Sequence, residues 1–278
     1  MARVVLVTGS TDGIGRQTAR MLAAGGMHVI VHGRSKLKVD ATVSALRSEL
    51  PGATLDAVAF DLGTLAGVRR GAEAILALVP ELHVLVNNAG IFATERTVTI
   101  DQVEGTLAVN HVGPFLLTEL LMPRLLASAT VVPSRVINVA SVAHTRGRIA
   151  DDLQLITGWT AYSAYAQSKL ANVMHAMSLA DKHDPAKLLA YALHPGVIGT
   201  KLLKQGFGPV QGASVETGAK SIVRLAAEEV PTSRSGSYFS EGVETPPAAA
   251  ARDAKVRDRL WVSSLRMATL PEAKLADG

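Results

Sequence analysis

The chain of 278 residues contains no cysteine, which excludes disulfides, thiolate metal sites and cysteine nucleophiles. Aromatic residues make up only 4%, and no basic stretch interleaves with them, so a nucleic-acid surface has no support. The 8 histidines show no H-E-x-x-H or similar spacing, and a metal site therefore has none either. No apolar run approaches the ~18 residues of a membrane span. The N-terminal MARVVLVTGS holds only the short apolar run Val4 to Val7, too brief for a signal-peptide core. These absences point to a soluble, cytoplasmic protein without a membrane span. A large excess of either charge is missing too: 28 basic against 24 acidic residues leave +4, a modest balance that suits an anionic ligand.

What is present is a globular composition, 48% hydrophobic and 19% charged. Short apolar runs alternate with longer helical patterns. Val4 to Val7, Val29 to Val31, Leu55 to Phe60, Leu82 to Val86, Val136 to Val139 and Leu188 to Leu193 read as strands. Several lack polar alternation, as strands buried on both faces of a parallel sheet do. Ile14 to Ala24, Leu65 to Val79, Val103 to Leu121, Ser163 to Lys182 and Val215 to Glu229 read as helices. The alternation predicts right-handed βαβ units in an α/β fold: one doubly wound Rossmann-type domain, with a mostly parallel seven-stranded sheet and helices on both faces. Residues 1–140 would mainly bind a cofactor, 141–240 would carry catalysis and substrate contacts, and 241–278 would form a C-terminal extension. In that extension Thr245-Pro246-Pro247 and the four alanines after it read as loop or linker, Leu260-Trp261-Val262 is apolar enough to dock, and Pro271 to Gly278 should fray.

Thr8-Gly9-Ser10-Thr11-Asp12-Gly13-Ile14-Gly15 follows the first strand and opens the first helix. Glycines there permit a tight turn and close approach of a ligand, and a helix N-terminus offers free N–H groups to a pyrophosphate. The second strand then tests the cofactor. An NAD site usually has Asp or Glu at its end to accept from the ribose 2′-hydroxyl. Here the segment is His28-Val29-Ile30-Val31-His32-Gly33-Arg34-Ser35, with no carboxylate. A guanidinium at Arg34 matches a 2′-phosphate, and the missing acid removes a repulsion. NADP is therefore expected over NAD, with Lys38 as a further cation nearby.

The stretch YSAYAQSKLAN, from Tyr162 to Asn172, holds two tyrosines and one lysine. On a helix Tyr165 and Lys169 are neighbours, whereas Tyr162 lies two turns from Lys169. That spacing alone also suits an ordinary surface helix; the rest of the chain decides. Isolated residues have plainer readings: His111 and His194 as packing or hydrogen-bonding groups, Asp151-Asp152 as a loop or cap, Met174 and Met177 as core or subunit contacts.

With these motifs in order, the sequence resembles a short-chain dehydrogenase/reductase from Val4 to about Phe239. The glycine turn, with Gly9, Thr11, Asp12, Gly13, Ile14 and Gly15, resembles the family's cofactor turn, and Asp61-Leu62 its adenine-contacting pair. Asn87-Asn88-Ala89-Gly90 matches the motif after the fourth strand. Asn110, Ser141, Tyr165 and Lys169 match the catalytic tetrad. His194-Pro195-Gly196-Val197 with Thr200 resembles the segment that holds the nicotinamide carboxamide. His144, Gly147, Ile149, Asp152-Leu153, Gln167 to Asn172, Gly236-x-Tyr238-Phe239 and Leu260-Trp261-x-x-Ser264 are similar to the retinol dehydrogenase-like and WW-domain oxidoreductase-like branch. The resemblance implies a homodimer or homotetramer, a water relay from Asn110 to Lys169, and a contact of Lys169 with the nicotinamide ribose.

The implied chemistry is hydride transfer between NADP(H) and a carbonyl or alcohol carbon of a small molecule. Negative charge develops on the carbonyl oxygen during reduction, so the site needs a proton donor and hydrogen-bond donors there. Tyr165 would be acid or base, and Ser141 would orient the substrate oxygen. A phenol of ordinary pKa ~10 needs about 4 kcal/mol to reach ~7, more than the ~1 kcal/mol of an exposed ion pair, so Tyr165 and Lys169 must share a partly closed site. Residues Val142 to Ala161 and those after Thr200 are expected as substrate walls, and their Ile, Leu, Trp and Phe suggest an apolar substrate. An NADPH-dependent C=C reductase of the pigment type and a non-catalytic nucleotide sensor are the alternatives.

Overall fold

Strands without polar alternation need cover on both faces. Around β1 (Val4–Val7), β4 (Val84–Asn87), β5 (Ser134–Val139) and β6 (Leu188–His194) that cover is complete, because every residue of the four is buried. The computed structural model describes residues 2–149, 151–228, 231 and 234–271. It adds β2 (His28–Gly33), β3 (Leu55–Ala59), β7 (Tyr238–Ser240) and β8 (Val243–Glu244). The sheet order is β3-β2-β1-β4-β5-β6-β7-β8, parallel throughout except for β7 against β8. The expected seven strands thus become eight, since the two-residue β8 is too short to leave a periodic trace.

One face carries α1 (Gly13–Ala24), α2 (Lys36–Glu49) and α8 (Val215–Ala227), whose Leu22, Leu46 and Leu225 share one apolar cluster. The other face carries α3 (Leu65–Leu78), the short α4 (Gly105–Leu107), α5 (Gly113–Ser128) and α6 (Ala161–Lys182). Beyond β6 lie α7 (Lys201–Phe207), α9 (Ala249–Arg252) and α10 (Ala254–Met267). Helix α2 has no counterpart in the sequence reading. Its buried Val39, Val43 and Leu46 are masked by an apolar Leu37 that is 80% exposed.

The helix expected over Val103 to Leu121 is divided. Glu104 caps α4 through Leu107 N–H at 2.7 Å, Ala108–Val112 forms a π-helical turn, and α5 resumes at Gly113 and continues to Ser128. A π-helical turn inside a helix commonly marks a functional position, and this one carries Asn110. The expected end of α8 at Glu229 and the fraying of 272–278 fall outside the described residues.

Part of the expected linker is helix, because Ala249–Arg252 forms α9. The docking of Leu260-Trp261 holds: Trp261 is 4% exposed and its ring centroid lies 5.0 Å from that of Phe115. Among the described residues no helix is long and apolar enough to cross a membrane.

Candidate active site

Strand order reverses between β1 and β4, and in open α/β sheets ligands bind at such a switch point, beyond the strands' carboxyl ends. A cleft of about 1200 Å³ opens there. At one end lies the glycine turn. Thr8 Oγ1 donates to Val86 O at 3.2 Å and accepts from the N–H groups of Asn88 and Ala89 at 3.0 and 3.1 Å. Asn88 Nδ2 donates to Thr8 O at 2.8 Å. A Cβ on Gly15 would collide with Gly9 O and Asn88 Nδ2, so only glycine fits.

His32, missed in the sequence reading, locks this turn to the next two strands. Its Nδ1 accepts from Gly9 N–H at 3.1 Å, which leaves Nε2–H to donate to Phe60 O at 3.2 Å. Burial pushes its pKa down to about 4, so the ring stays neutral and keeps this tautomer. A polar residue inside an otherwise apolar strand was the available signal.

Gly9, Thr11, Asp12, Gly13, Ile14, Gly15, Arg34, Asp61, Leu62, Asn88, Ala89, Gly90, Pro195, Gly196, Val197 and Thr200 all line the cleft. Ser35 does not; it caps α2, accepting from Lys38 N–H at 3.5 Å. Arg34 is exposed and makes no ion pair with a described residue, while Asp12 is paired with Lys201 on α7. That pairing holds the Asp12 carboxyl below its usual range, with the Lys201 hydrogen bond as the main cause. An unpaired guanidinium, a helix N-terminus and glycines that permit close approach fit a phosphorylated dinucleotide.

At the other end β5 delivers Ser141, which caps a 3-10 turn over Val142–Arg146 by accepting from Ala143 N–H at 3.2 Å. Helix α6 starts at a capping box formed by Thr160 and Ser163. One turn later it presents Tyr165, 5% exposed, and then Lys169, 3% exposed. Ser141 and Tyr165 line the same end of the cleft, and the Ser141 hydroxyl pulls the phenol pKa down. Lys169 Nζ lies 5.6 Å from the Tyr165 ring centroid and donates to Val139 O at 3.0 Å.

Burial pushes the Tyr165 pKa up to about 12, and the opposing pull comes from Ser141. Burial likewise lowers Lys169 to about 8. Desolvation disfavours the charged form of each group.

Asn110 is fully enclosed and does not line the cleft. Its Oδ1 accepts from Ile91 N–H at 2.7 Å, and its Nδ2 donates to Ile91 O at 2.9 Å and Ser168 Oγ at 3.0 Å. A Cβ on Gly90 would lie 3.2 Å from Lys169 Nζ and 3.4 Å from Asn110 Oδ1. Both polar groups therefore face one backbone position, and Asn110 is a positioning residue behind it.

Of the expected substrate wall, Val142, Ala143, Thr145 and Arg146 line the cleft. The other described residues of that stretch do not line it: Gln154 accepts from Glu104 N–H at 2.7 Å and Trp159 Nε1 donates to Glu104 at 3.1 Å. Residues after Thr200 do form a wall. Phe207 of α7 stands 6.2 Å, between ring centroids, from both Tyr162 and Tyr165, with Phe92 5.4 Å from it. Neither Phe92 nor Phe207 was singled out in the sequence, where lone aromatics carry no periodic signal.

The short chain dehydrogenase family model matches residues 3–208. Human "Retinol dehydrogenase 12" is 38% identical over 269 residues, 93% of this chain and 84% of that protein. Mouse "Polyprenol dehydrogenase" is 38% identical over 281 residues, 95% and 83% of the two chains. Among solved structures, an uncharacterized protein from Mycobacterium paratuberculosis superposes with a TM-score of 0.79 at 30% identity, covering 96% of this chain and 94% of that one. A Beutenbergia cavernae protein described as an NAD(P)-dependent gluconate 5-dehydrogenase, solved with bound NADP at low occupancy, has a TM-score of 0.68 at 26% identity over 87% and 96%. The family match spans both the glycine turn and the Ser141, Tyr165 and Lys169 constellation, and with it this chain belongs to the short-chain dehydrogenases, on their retinol dehydrogenase-like branch.

Proposed function

We propose that the protein is an NADP(H)-dependent oxidoreductase acting on the carbonyl or alcohol carbon of an apolar small molecule. The observation that carries this reading is the meeting of Ser141 and Tyr165 over buried Lys169, in one cleft with the glycine turn. A bound nicotinamide dinucleotide supplies the hydride or accepts it. Ser141 Oγ donates to the substrate oxygen and fixes its position. Tyr165 holds the proton that this oxygen gains in reduction, or takes it in oxidation. Lys169, held by Val139 O, offers a cation beneath the phenol and a donor to the cofactor ribose.

The preference for NADP rests on Arg34, unpaired and exposed at the end of β2 where no carboxylate competes. Bound NADP in the Beutenbergia cavernae relative supports it. Val142, Leu202, Phe207 and Val210 support an apolar substrate, as do relatives named for retinol and polyprenol, both isoprenoid alcohols.

Oxidation of NADPH and NADH over a panel of apolar aldehydes and ketones tests the reading. Tyr165→Phe is expected to lower kcat by about 100-fold or more, the range of a lost general acid. Unchanged turnover in that variant would overturn the mechanism. Arg34→Ala is expected to weaken NADPH by roughly tenfold while leaving NADH unaffected, and equal use of both cofactors by the wild type would refute the role of Arg34.

A further inference from the structure

Two buried histidines outside the tetrad connect the active-site turns to the C-terminal segment. His111 follows Asn110 in the π-helical turn, and its Nε2 lies 2.8 Å from Ser264 Oγ on α10. The Ser264 hydroxyl donates to Leu260 O at 2.8 Å. A hydroxyl has one hydrogen, so Ser264 accepts from His111 Nε2–H. His144 lies in the 3-10 turn that Ser141 caps. Its Nε2 accepts from Ala248 N–H at 3.1 Å, which leaves Nδ1–H to donate to Ser141 O at 2.7 Å. Both histidines are 1% exposed and Ser264 is 0% exposed. Burial lowers both pKa values, that of His111 to about 4, so each ring keeps one neutral tautomer.

The segment that reaches these two turns is itself anchored elsewhere. Arg257 pairs with Asp181 at 2.7 Å and donates to Ala251 O at 3.0 Å. Arg69 on α3 donates to Ala268 O at 3.0 Å. No residue from Ala248 to Met267 lines the cleft. The segment thus touches the machinery without touching the space where ligands bind.

We propose that residues Ala248 to Met267 position the active site, holding the Asn110 turn through His111–Ser264 and the Ser141 turn through His144–Ala248. A truncated or loosened tail would let both turns relax while the glycine turn stayed in place. The functional part of this proposal rests on the catalytic reading above; the coupling between tail and turns does not.

Two substitutions separate the links. Ser264→Ala removes the acceptor for His111. Ala248→Pro removes the N–H donor to His144 at a φ of −49°, which proline accepts. Amide hydrogen exchange, followed without ligand, should accelerate about tenfold over 104–113 in Ser264→Ala and over 141–147 in Ala248→Pro. Each variant should lower kcat roughly tenfold while NADPH affinity, read by fluorescence, changes less than twofold. Ser264→Thr should restore both readouts. Leu46→Ala, fully buried in α2 on the other face of the sheet and outside the segment, is the control for lost stability. Unaltered exchange in those segments would overturn the proposal, as would an equal fall in kcat in Leu46→Ala at matched loss of Tm. A wild-type protein that reduced no carbonyl would sink the catalytic reading alone, because the exchange measurements still decide the coupling.

Discussion

The two ends of the cleft are held in different ways. At the cofactor end, the turn after β1 is tied to its immediate neighbours in the sheet. Thr8 and Asn88 join β1 to β4, and His32 joins the turn to the ends of β2 and β3. At the catalytic end, Ser141 and Asn110 sit on short irregular turns whose supports come from far along the chain, 104 residues for His144 to Ala248 and 153 for His111 to Ser264. The glycine turn leaves β1 and enters α1 at once, so the neighbouring strand ends and the first turn of the helix hold it. The 3-10 turn leaves β5 for a loop, and the π-helical turn lies between α4 and α5, away from the ladder, so both take an external brace. Changes at the first end should therefore alter cofactor affinity, and changes at the second should alter turnover.

The strongest way to break this division is Gly15→Val, where the new side chain would strike Gly9 O and Asn88 Nδ2. NADPH affinity by fluorescence titration should fall about 100-fold or more, equivalent to ~2.7 kcal/mol, and Tm should fall as well because the Gly9 backbone must shift. A variant that kept its affinity but lost kcat would erase the distinction.

Next is Lys169→Met. Lys169 has a folded pKa of about 8, below the ordinary 10.5, so its charge costs stability that is fully felt below pH 8 and disappears as pH rises toward 10.5. The variant should lose turnover and yet be more stable at pH 7, by an amount on the order of 3 kcal/mol at ~1.4 kcal/mol per pKa unit. Thermal unfolding at pH 7 and again near pH 10 should show the gain shrinking; a gain that persisted at high pH would refute the buried-charge explanation.

The smallest effect is expected from His32→Ala. Gly9 N–H and Phe60 O would lose their partner, a penalty of about 1–3 kcal/mol spread over folding and cofactor binding. KM for NADPH should rise a few-fold to tenfold with kcat at saturation preserved. A fall in kcat instead would place His32 with the catalytic end.

Much of the sheet and of the cofactor turn was legible in the sequence because each rests on local rules. Six apolar runs marked six strands, and glycine spacing after a strand marked the turn. Helix α2 and the Ala108–Val112 turn were not legible. The first mixes β-branched and exposed apolar residues, and the second depends on Asn110 bonding Ile91 and Ser168, contacts that no periodicity encodes. The Tyr165–Lys169 pairing followed from helical spacing, but the direction in which the site shifts the phenol did not. Spacing shows who can meet, and only burial shows what meeting costs.

By itself the sequence determined the fold class, the location of the glycine turn, the missing acid beside Arg34 and the choice of Tyr165 over Tyr162 as the partner of Lys169. All of these are set by residues within about two helical turns of one another or by strand burial. Tertiary structure alone decided the enclosure of Asn110, the neutral tautomers of His32, His111 and His144, and the bracing of two active-site turns by the C-terminal segment. Those depend on desolvation and on hydrogen bonds between residues 19 to 153 positions apart, and such meetings exist only once the chain has packed.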